Sequence, residues 1–349
     1  MPPVLLAFTV ALLASLSLTV PVRALALRVG MVDPPGPRKV HLTPIPLLGG
    51  LAIYLGVVLA ILVSMGGQAR AQMVGIFAGA TLVVLVGILD DHGLLHHQIK
   101  LFVGMPLAAV ILIAAGIRVQ LFEVIRPGLA SQMADVGLTL LWVVGITAAF
   151  SIFDHMDGLC AGVAAMASVF FTIFATWSGQ VLVSTLAAAV LGAAIGFLRW
   201  NFKPAKIFMG DAGAMFLGFL MATLGLKFRL ANLPHETSWM IPVLILGVPI
   251  FDTTLISISR SRRGFLPFTT PGKDHAAHRL ANLGLGQRRA VLALYGLGAV
   301  FGILALVVSR LPVRQGYALV ALTVVAALVA AALLERAPYE RQQPRQKPT

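Results

Sequence analysis

Charge is what this sequence has least of. Only 11% of its 349 residues are Asp, Glu, Lys or Arg, against 58% hydrophobic, and its mean hydropathy is +0.93. A soluble chain carries about 25% charged residues to cover its surface, so an ordinary soluble domain is excluded. Cysteine is nearly absent. Cys160 stands alone, which rules out an internal disulfide and a cysteine-based metal site and leaves the reading of a small buried filler. Aromatic residues are sparse and do not interleave with basic ones. The net charge of +13 therefore predicts no nucleic-acid partner. The basic residues are spread over short loops, where they set topology and meet anionic lipid head groups. No internal repeat is visible.

What the chain has in place of charge is a series of apolar stretches, near 3–22, 46–66, 72–89, 101–116, 137–153, 159–176, 180–198, 209–227, 239–258, 290–309 and 316–335. A helix of about 20 such residues crosses ~30 Å of hydrocarbon. The pattern predicts an all-α polytopic membrane protein of about eleven transmembrane helices. It would form one integral-membrane domain over 1–335, with a basic tail over 336–349. The first stretch does not read as a signal peptide, because no basic side chain precedes it and Arg23 and Arg28 follow it. That polarity predicts an outside N-terminus and a cytoplasmic C-terminus. With this orientation, 19 of the Lys and Arg residues fall in inward segments and 7 in outward ones, as the positive-inside rule requires. Outside, the apolar–polar alternation of Ile117 to Phe122 predicts a small strand pair.

The few acids are placed unevenly. Asp90, Asp91, Asp154, Asp157 and Asp211, together with His275 and His278, all fall at inward ends of spans or in inward loops. Chance would scatter them over both faces. Asp211 sits between Gly210 and Gly213 at the lip of an apolar run. A carboxylate in hydrocarbon costs roughly 2.5–3.5 kcal/mol on insertion scales unless it is compensated. Flanking glycines let the backbone turn and a ligand approach, so Asp211 reads as a ligand for something positive.

Gly87-Ile-Leu-Asp90-Asp91 closes the third span. Its paired carboxylates repel each other and face an unfavourable helix dipole, which suits a base or an anchor for a shared cation better than a mere polar terminus. Lys100 opens the next span as a snorkelling anchor or a phosphate ligand. Between the fifth and sixth spans lies Phe153-Asp-His-Met-Asp-Gly158. On one helical turn Asp154 and Asp157 would share a face, and hard dications such as Mg²⁺ take one or two carboxylates with phosphate and water. A turn and a helix cap are the plain alternative. In the proline-rich 32–46 segment, Arg38, Lys39 and His41 either grip phosphate or merely mark an inward loop. In Asp274-His-Ala-Ala-His-Arg279 the two imidazoles share a face, and Arg279 offers a fork suited to a diphosphate. A zinc site there lacks a nearby third soft ligand. Asp252 fits a helix contact or a site residue equally well.

Taken together, these motifs resemble the polyprenyl-phosphate N-acetylhexosamine-1-phosphate transferases, in particular the bacterial branch that uses UDP-N-acetylglucosamine. The likeness runs from Val32-Asp-Pro through Arg38-Lys39-x-His41 and Gly49-Gly50, then Gly87 to Asp91, Asp154 to Leu159, Phe208-Met-Gly-Asp-Ala-Gly213 and the histidine loop, in the family's order over roughly residues 30–290. The resemblance implies a glycosyltransferase of family 4. Such an enzyme moves a sugar-1-phosphate, most often GlcNAc-1-phosphate, from a UDP-sugar to polyprenyl phosphate and releases UMP. It works with Mg²⁺ or Mn²⁺ at the cytoplasmic face of the inner (cytoplasmic) membrane, early in cell-envelope synthesis. By the resemblance, Asp154 and Asp211 match metal-ligand positions, and Asp90 and Asp91 match the paired catalytic acids at the lipid phosphate. Asp157 matches a position near the uracil. Lys39, Lys100, His275, His278 and Arg279 match groups around the phosphates. The partners implied are the UDP-sugar, the polyprenyl phosphate and membrane lipids, and a homodimer is left open. Departures are Ser151 in place of the family's Asn, His155 in place of Gly or Asn, Ala277 within the histidine run, and Ala212 and Ala214 in place of serines. They bear on the choice of sugar. The rivals are an ion- or proton-coupled transporter, which would place acids at mid-bilayer, and a member that binds UDP-sugar or lipid without turnover.

Overall fold

A computed structural model describes residues 2–35, 43–65, 71–228, 235–266 and 272–339. Each apolar stretch is helical. In chain order the helices are α1 (Pro3–Arg28), α2 (Gly49–Ser64), α3 (Ala71–Asp91), α4 (Lys100–Ala114), α5 (Leu129–Phe153), α6 (Leu159–Trp177), α7 (Val181–Asn201), α8 (Gly210–Lys227), α9 (Gly247–Arg262), α10 (Ala276–Val308) and α11 (Val313–Glu335). Seven of them (α1, α3, α5, α6, α7, α10 and α11) are long and apolar enough to cross a membrane. The chain is therefore a multi-pass membrane protein. The first helix runs to Arg28, through Pro21. The ninth apolar stretch is broken at Leu246 into Met240–Ile245 and α9. Helix α10 bends at Gly284, whose φ is +102°.

Helix α8 is the axis of the bundle. Except for Asp211, its residues are buried on every side from Gly210 to Leu224, whereas α11 buries only Gly316. A helix apolar all round is a core helix when protein surrounds it and a lipid-facing one when lipid does. Lipid tails are as apolar as leucine, so helices in a bilayer associate through close packing of small residues. Such packing holds α8. A Cβ on Gly50 of α2 would lie 2.2 Å from the Gly213 nitrogen, one on Gly87 of α3 would lie 2.4 Å from Ala212, and one on Gly218 would lie 2.8 Å from Thr147 of α5. Three helices are drawn onto α8 at points where one of the two partners is a glycine with no room for a side chain. Some buried hydroxyls within the spans turn back on their own helices, as Thr19 does to the Ser15 carbonyl and Thr223 to that of Phe219.

The strand pair expected at Ile117 to Phe122 does not form. Asp135 of α5, fully buried, accepts the backbone N–H groups of Leu121, Phe122 and Glu123 at 3.0–3.1 Å. A carboxylate therefore takes the donors a partner strand would need, and Phe122–Ile125 closes as a helical turn. The two-stranded ladder lies elsewhere, with β1 (Val32–Asp33) antiparallel to β2 (Ile45–Pro46). β2 runs on into a parallel bridge between Leu47 and Phe208. Gly49 and Gly50 then donate to the carbonyls of Phe208 and Met209, each at 2.9 Å. These bonds pin the segment that delivers Asp211.

Candidate active site

The last turn of α3 lies on the first turn of α8 because Gly87 leaves room for Ala212. The contact brings Asp91 to the open N-terminus of α8. Its Oδ1 accepts the Asp211 N–H at 2.8 Å and its Oδ2 the Ala212 N–H at 3.1 Å. A carboxylate from another helix thus performs the capping that a local Ser or Asp usually supplies, where the helix dipole favours negative charge. Gly210 is required twice over. Its φ is +70°, and a Cβ there would sit 2.4 Å from the Asp91 carboxylate. Asp90 and Asp211 meet at Lys100, whose Nζ donates to both, at 2.7 and 2.6 Å. The Ser151 hydroxyl donates to the other oxygen of Asp211. Of the paired acids, Asp91 is committed to backbone amides, while Asp90 faces the cation.

Residues 154–158 form an irregular turn instead of the helical turn expected. Asp154 has φ −82° and ψ 64°, and Gly158 has φ +77°, so Asp154 and Asp157 share no helical face. The turn is held from below. The Asn201 Oδ1 accepts the Gly158 N–H at 3.0 Å while its Nδ2 donates to the Ile207 carbonyl at 3.0 Å. The Tyr295 hydroxyl donates to the Gly158 carbonyl, and Gly162 makes space for that ring. Asp157 accepts the Ala205 N–H at 3.0 Å, which ties the turn to the α7–α8 linker. Asp154 has no hydrogen bond or ion pair to any described residue. Burial, and then the charges of Asp211, Asp91 and Asp157, push its carboxyl up to about 8. A cation beside it would favour its ionised form. With Asp211 it makes a pair of hard oxygen donors of the kind Mg²⁺ accepts, so these side chains fit the metal that the resemblance implies.

The histidine loop joins the site from α9 and α10. Asp252 is buried. Its Oδ2 lies 2.7 Å from His275 Nδ1, and its Oδ1 accepts the Ala276 N–H at 2.7 Å. Asp252 is thus a hydrogen-bonded contact of the histidine loop. The His155 ring, from the α5–α6 turn, lies against His275 and His278 with centroids 3.9 and 4.5 Å away. Asp274 is gripped by Arg260 at 3.0 and 2.7 Å and by Arg263 at 2.6 Å. Burial opposes its charge, yet the hydrogen bonds and charge of Arg260, joined by Arg263, hold its carboxyl down at about 2.

Arg279 departs from the fork expected to face a diphosphate. It is fully buried and donates to the Asp274 carbonyl, the Leu334 carbonyl, Glu335 and Ser259, at 2.6–3.0 Å. Its guanidinium lies 4.1 Å from the Tyr339 ring centroid. It clamps the loop to the end of α11 and so positions His275 and His278. Lys39, with Arg38 and His41, lies outside the described residues. Asn201, Tyr295, Ser259 and Glu335 do structural work here that no local motif announces. Ser151 was legible only as a departure from the resembled pattern.

Comparison with known proteins follows the same lines. The family described as glycosyl transferase family 4 matches residues 73–229, a range that holds Asp90, Asp91, Lys100, Asp154, Asp157 and Asp211. A Bacillus subtilis (strain 168) protein, named probable undecaprenyl-phosphate N-acetylglucosaminyl 1-phosphate transferase, is 39% identical over 311 residues. The alignment covers 88% of this chain and 85% of that protein. The chain belongs to the polyprenyl-phosphate N-acetylhexosamine-1-phosphate transferase family. A second member, decaprenyl-phosphate N-acetylglucosaminephosphotransferase of Mycolicibacterium smegmatis, is 32% identical over 306 residues, covering 78% of this chain and 74% of its own. A third, undecaprenyl-phosphate alpha-N-acetylglucosaminyl 1-phosphate transferase of Yersinia pestis, is 27% identical over 321 residues, covering 90% and 87%. The family match stops short of residues 272–279, so it leaves the histidine loop to the longer alignments.

Proposed function

We propose that this protein transfers GlcNAc-1-phosphate from UDP-GlcNAc to a polyprenyl phosphate and releases UMP, at the cytoplasmic face of the inner membrane. The observation that carries the reading is the junction of three separated segments, the end of α3, the α5–α6 turn and the start of α8. There Lys100 bridges Asp90 and Asp211 and Asp154 stands unpaired among carboxylates. The relatives' names supply the substrate class. In the reaction a lipid-phosphate oxygen attacks the sugar-linked phosphorus of the UDP-sugar. A new phosphoanhydride forms, the old one breaks, and UMP leaves with the bridging oxygen. One phosphoanhydride replaces another, so the difficulty is bringing two anions together, and catalysis is mainly positioning and charge neutralisation.

Asp154 and Asp211 would hold Mg²⁺ or Mn²⁺, which when bound neutralises diphosphate charge and fixes its geometry. Lys100 adds an ammonium at the same point. Asp90, released from Lys100 as substrate binds, orients the attacking phosphate or accepts its proton. Asp91 fixes the α8 N-terminus so that Asp211 stays in place. His275 and His278 border the substrate, held by Asp252 and Arg279. The eleven-span arrangement with a cytoplasmic C-terminus accounts for all eleven apolar helices and for the excess of basic residues at this face. The test is to incubate the purified protein with Mg²⁺, polyprenyl phosphate and a panel of UDP-sugars, and to weigh the lipid product. A GlcNAc-phosphate adduct with equimolar UMP is expected. No lipid-linked product from any UDP-N-acetylhexosamine would overturn the reading.

A further inference from the structure

Beside the acid cluster, a second group of side chains gathers without satisfying itself. His155 Nδ1 and Nε2 are both buried with no hydrogen-bond partner among the described residues, as is His278 Nδ1. Buried polar atoms are ordinarily paired, so two left over on one ring mark an imidazole that serves something other than protein contacts. His275 contributes differently. Its Nδ1 lies 2.7 Å from Asp252 Oδ2, so a dication that replaced the proton between them would find an imidazole nitrogen and a carboxylate oxygen side by side. His155, Asp252 and His275 each offer a ligand atom, and these lie within 4.8 Å of one another.

We propose that His155, His275 and Asp252 bind a zinc-class transition-metal dication, at a site distinct from the carboxylate pair Asp154 and Asp211. The donor set decides the class of ion. Imidazole nitrogens suit zinc and its neighbours, whereas magnesium prefers all-oxygen surroundings. Coordination turns the His155 ring from its face-on contact with His275 so that a nitrogen meets the ion. The three ligands come from the α5–α6 turn, α9 and the loop entering α10. A bound ion therefore ties the turn that carries Asp154 to the histidine loop. His278, with its own unpaired Nδ1, stands next to the site as a candidate fourth donor.

The test needs no substrate, so its outcome is separate from that of the transferase assay. Protein purified without a histidine tag is dialysed against Zn²⁺ and its metal content measured, with Co²⁺ as a spectroscopic probe. About one tightly held ion per chain is expected, with the absorption of four-coordinate nitrogen–oxygen ligation and a higher thermal midpoint on loading. His155→Phe keeps a ring packed on His275 but removes both nitrogens. It and His275→Ala should weaken binding about tenfold or more, and Asp252→Asn about tenfold, while Asp211→Asn binds as the parent does. A metal-free melting curve for His155→Phe like that of the parent separates lost ligation from lost fold. Binding unchanged in His155→Phe overturns the proposal, as does binding abolished by Asp211→Asn alone, or the absence of any bound ion in the parent.

Discussion

Around Lys100, the carboxylates of Asp90 and Asp211 share one ammonium, and Asp154 has no partner among the described residues. Around Asp274, two guanidinium groups share one carboxylate, and Arg279 beside it spends its donors on protein atoms. The first lies where α3, α4 and α8 meet and the second where α9 and the loop into α10 meet α11, and both are largely buried. The first carries more negative charge than the described residues neutralise, and the second is closed upon itself. A buried charge left uncompensated is expensive, and a chain keeps one where a ligand completes it. On the proposed function the acid cluster receives a cation, while the arginine cluster holds a loop still. That contrast separates binding groups from positioning groups among residues that look alike in sequence.

The contrast can be broken most sharply at Asp211. Asp211→Asn should lower the transfer rate about 10²–10³-fold, the scale of losing a preorganised electrostatic group. It should leave the unfolding midpoint close to that of the parent, and UMP release against Mg²⁺ concentration reads it out. Arg260→Ala should do the reverse. It leaves Asp274 underpaired where only 1% of that side chain is exposed, at a cost of about 3 kcal/mol. The measurable result is a lower midpoint, with the activity of the folded fraction at low temperature largely kept. If both variants behaved alike, the division of labour would be wrong.

Acid should pick out the same closed region. Asp274 is held at about 2 in the folded chain, against about 3.9 for an ordinary Asp. Its contribution is fully present above about pH 4 and is lost as pH falls toward about 2, a span worth about 2–3 kcal/mol. Denaturation at stepped pH should show that slope in the parent and a shallower one in Asp274→Asn. The smallest effect sharpens the comparison at the turn between the two regions. Tyr295→Phe removes the hydroxyl that holds the Gly158 carbonyl and should cost about 1 kcal/mol, with a modest rise in the Mg²⁺ concentration needed for activity.

The helical stretches and the acids were legible because each rests on a strong local signal. Hydrocarbon admits only continuous apolar runs, and a carboxylate at a span end stands out against them. Gly210 was legible as a place where the backbone turns and a ligand approaches, whereas nothing local in Gly87 announced the contact that docks α3 onto α8. The outer strand pair was misread because alternation over Ile117 to Phe122 carries no information about Asp135, which sits farther along and takes the donors. Arg279 was misread for a related reason. A guanidinium beside two histidines looks like a phosphate fork until Glu335 and the Leu334 carbonyl, from the far end of the chain, are seen to occupy it. Asn201 and Tyr295 gave no signal, since a lone polar residue at a span end is ordinary until its partners are known.

The most direct test is a count of Mn²⁺ bound in the absence of substrate, followed by electron paramagnetic resonance, for the parent, Asp154→Asn, Asp211→Asn and Asp274→Asn. The account predicts one site that weakens at least about tenfold in both the Asp154 and Asp211 variants and is untouched in the Asp274 variant. Parent-like Mn²⁺ affinity in Asp154→Asn would contradict it, because then the unpaired carboxylate and Asp211 do not share an ion.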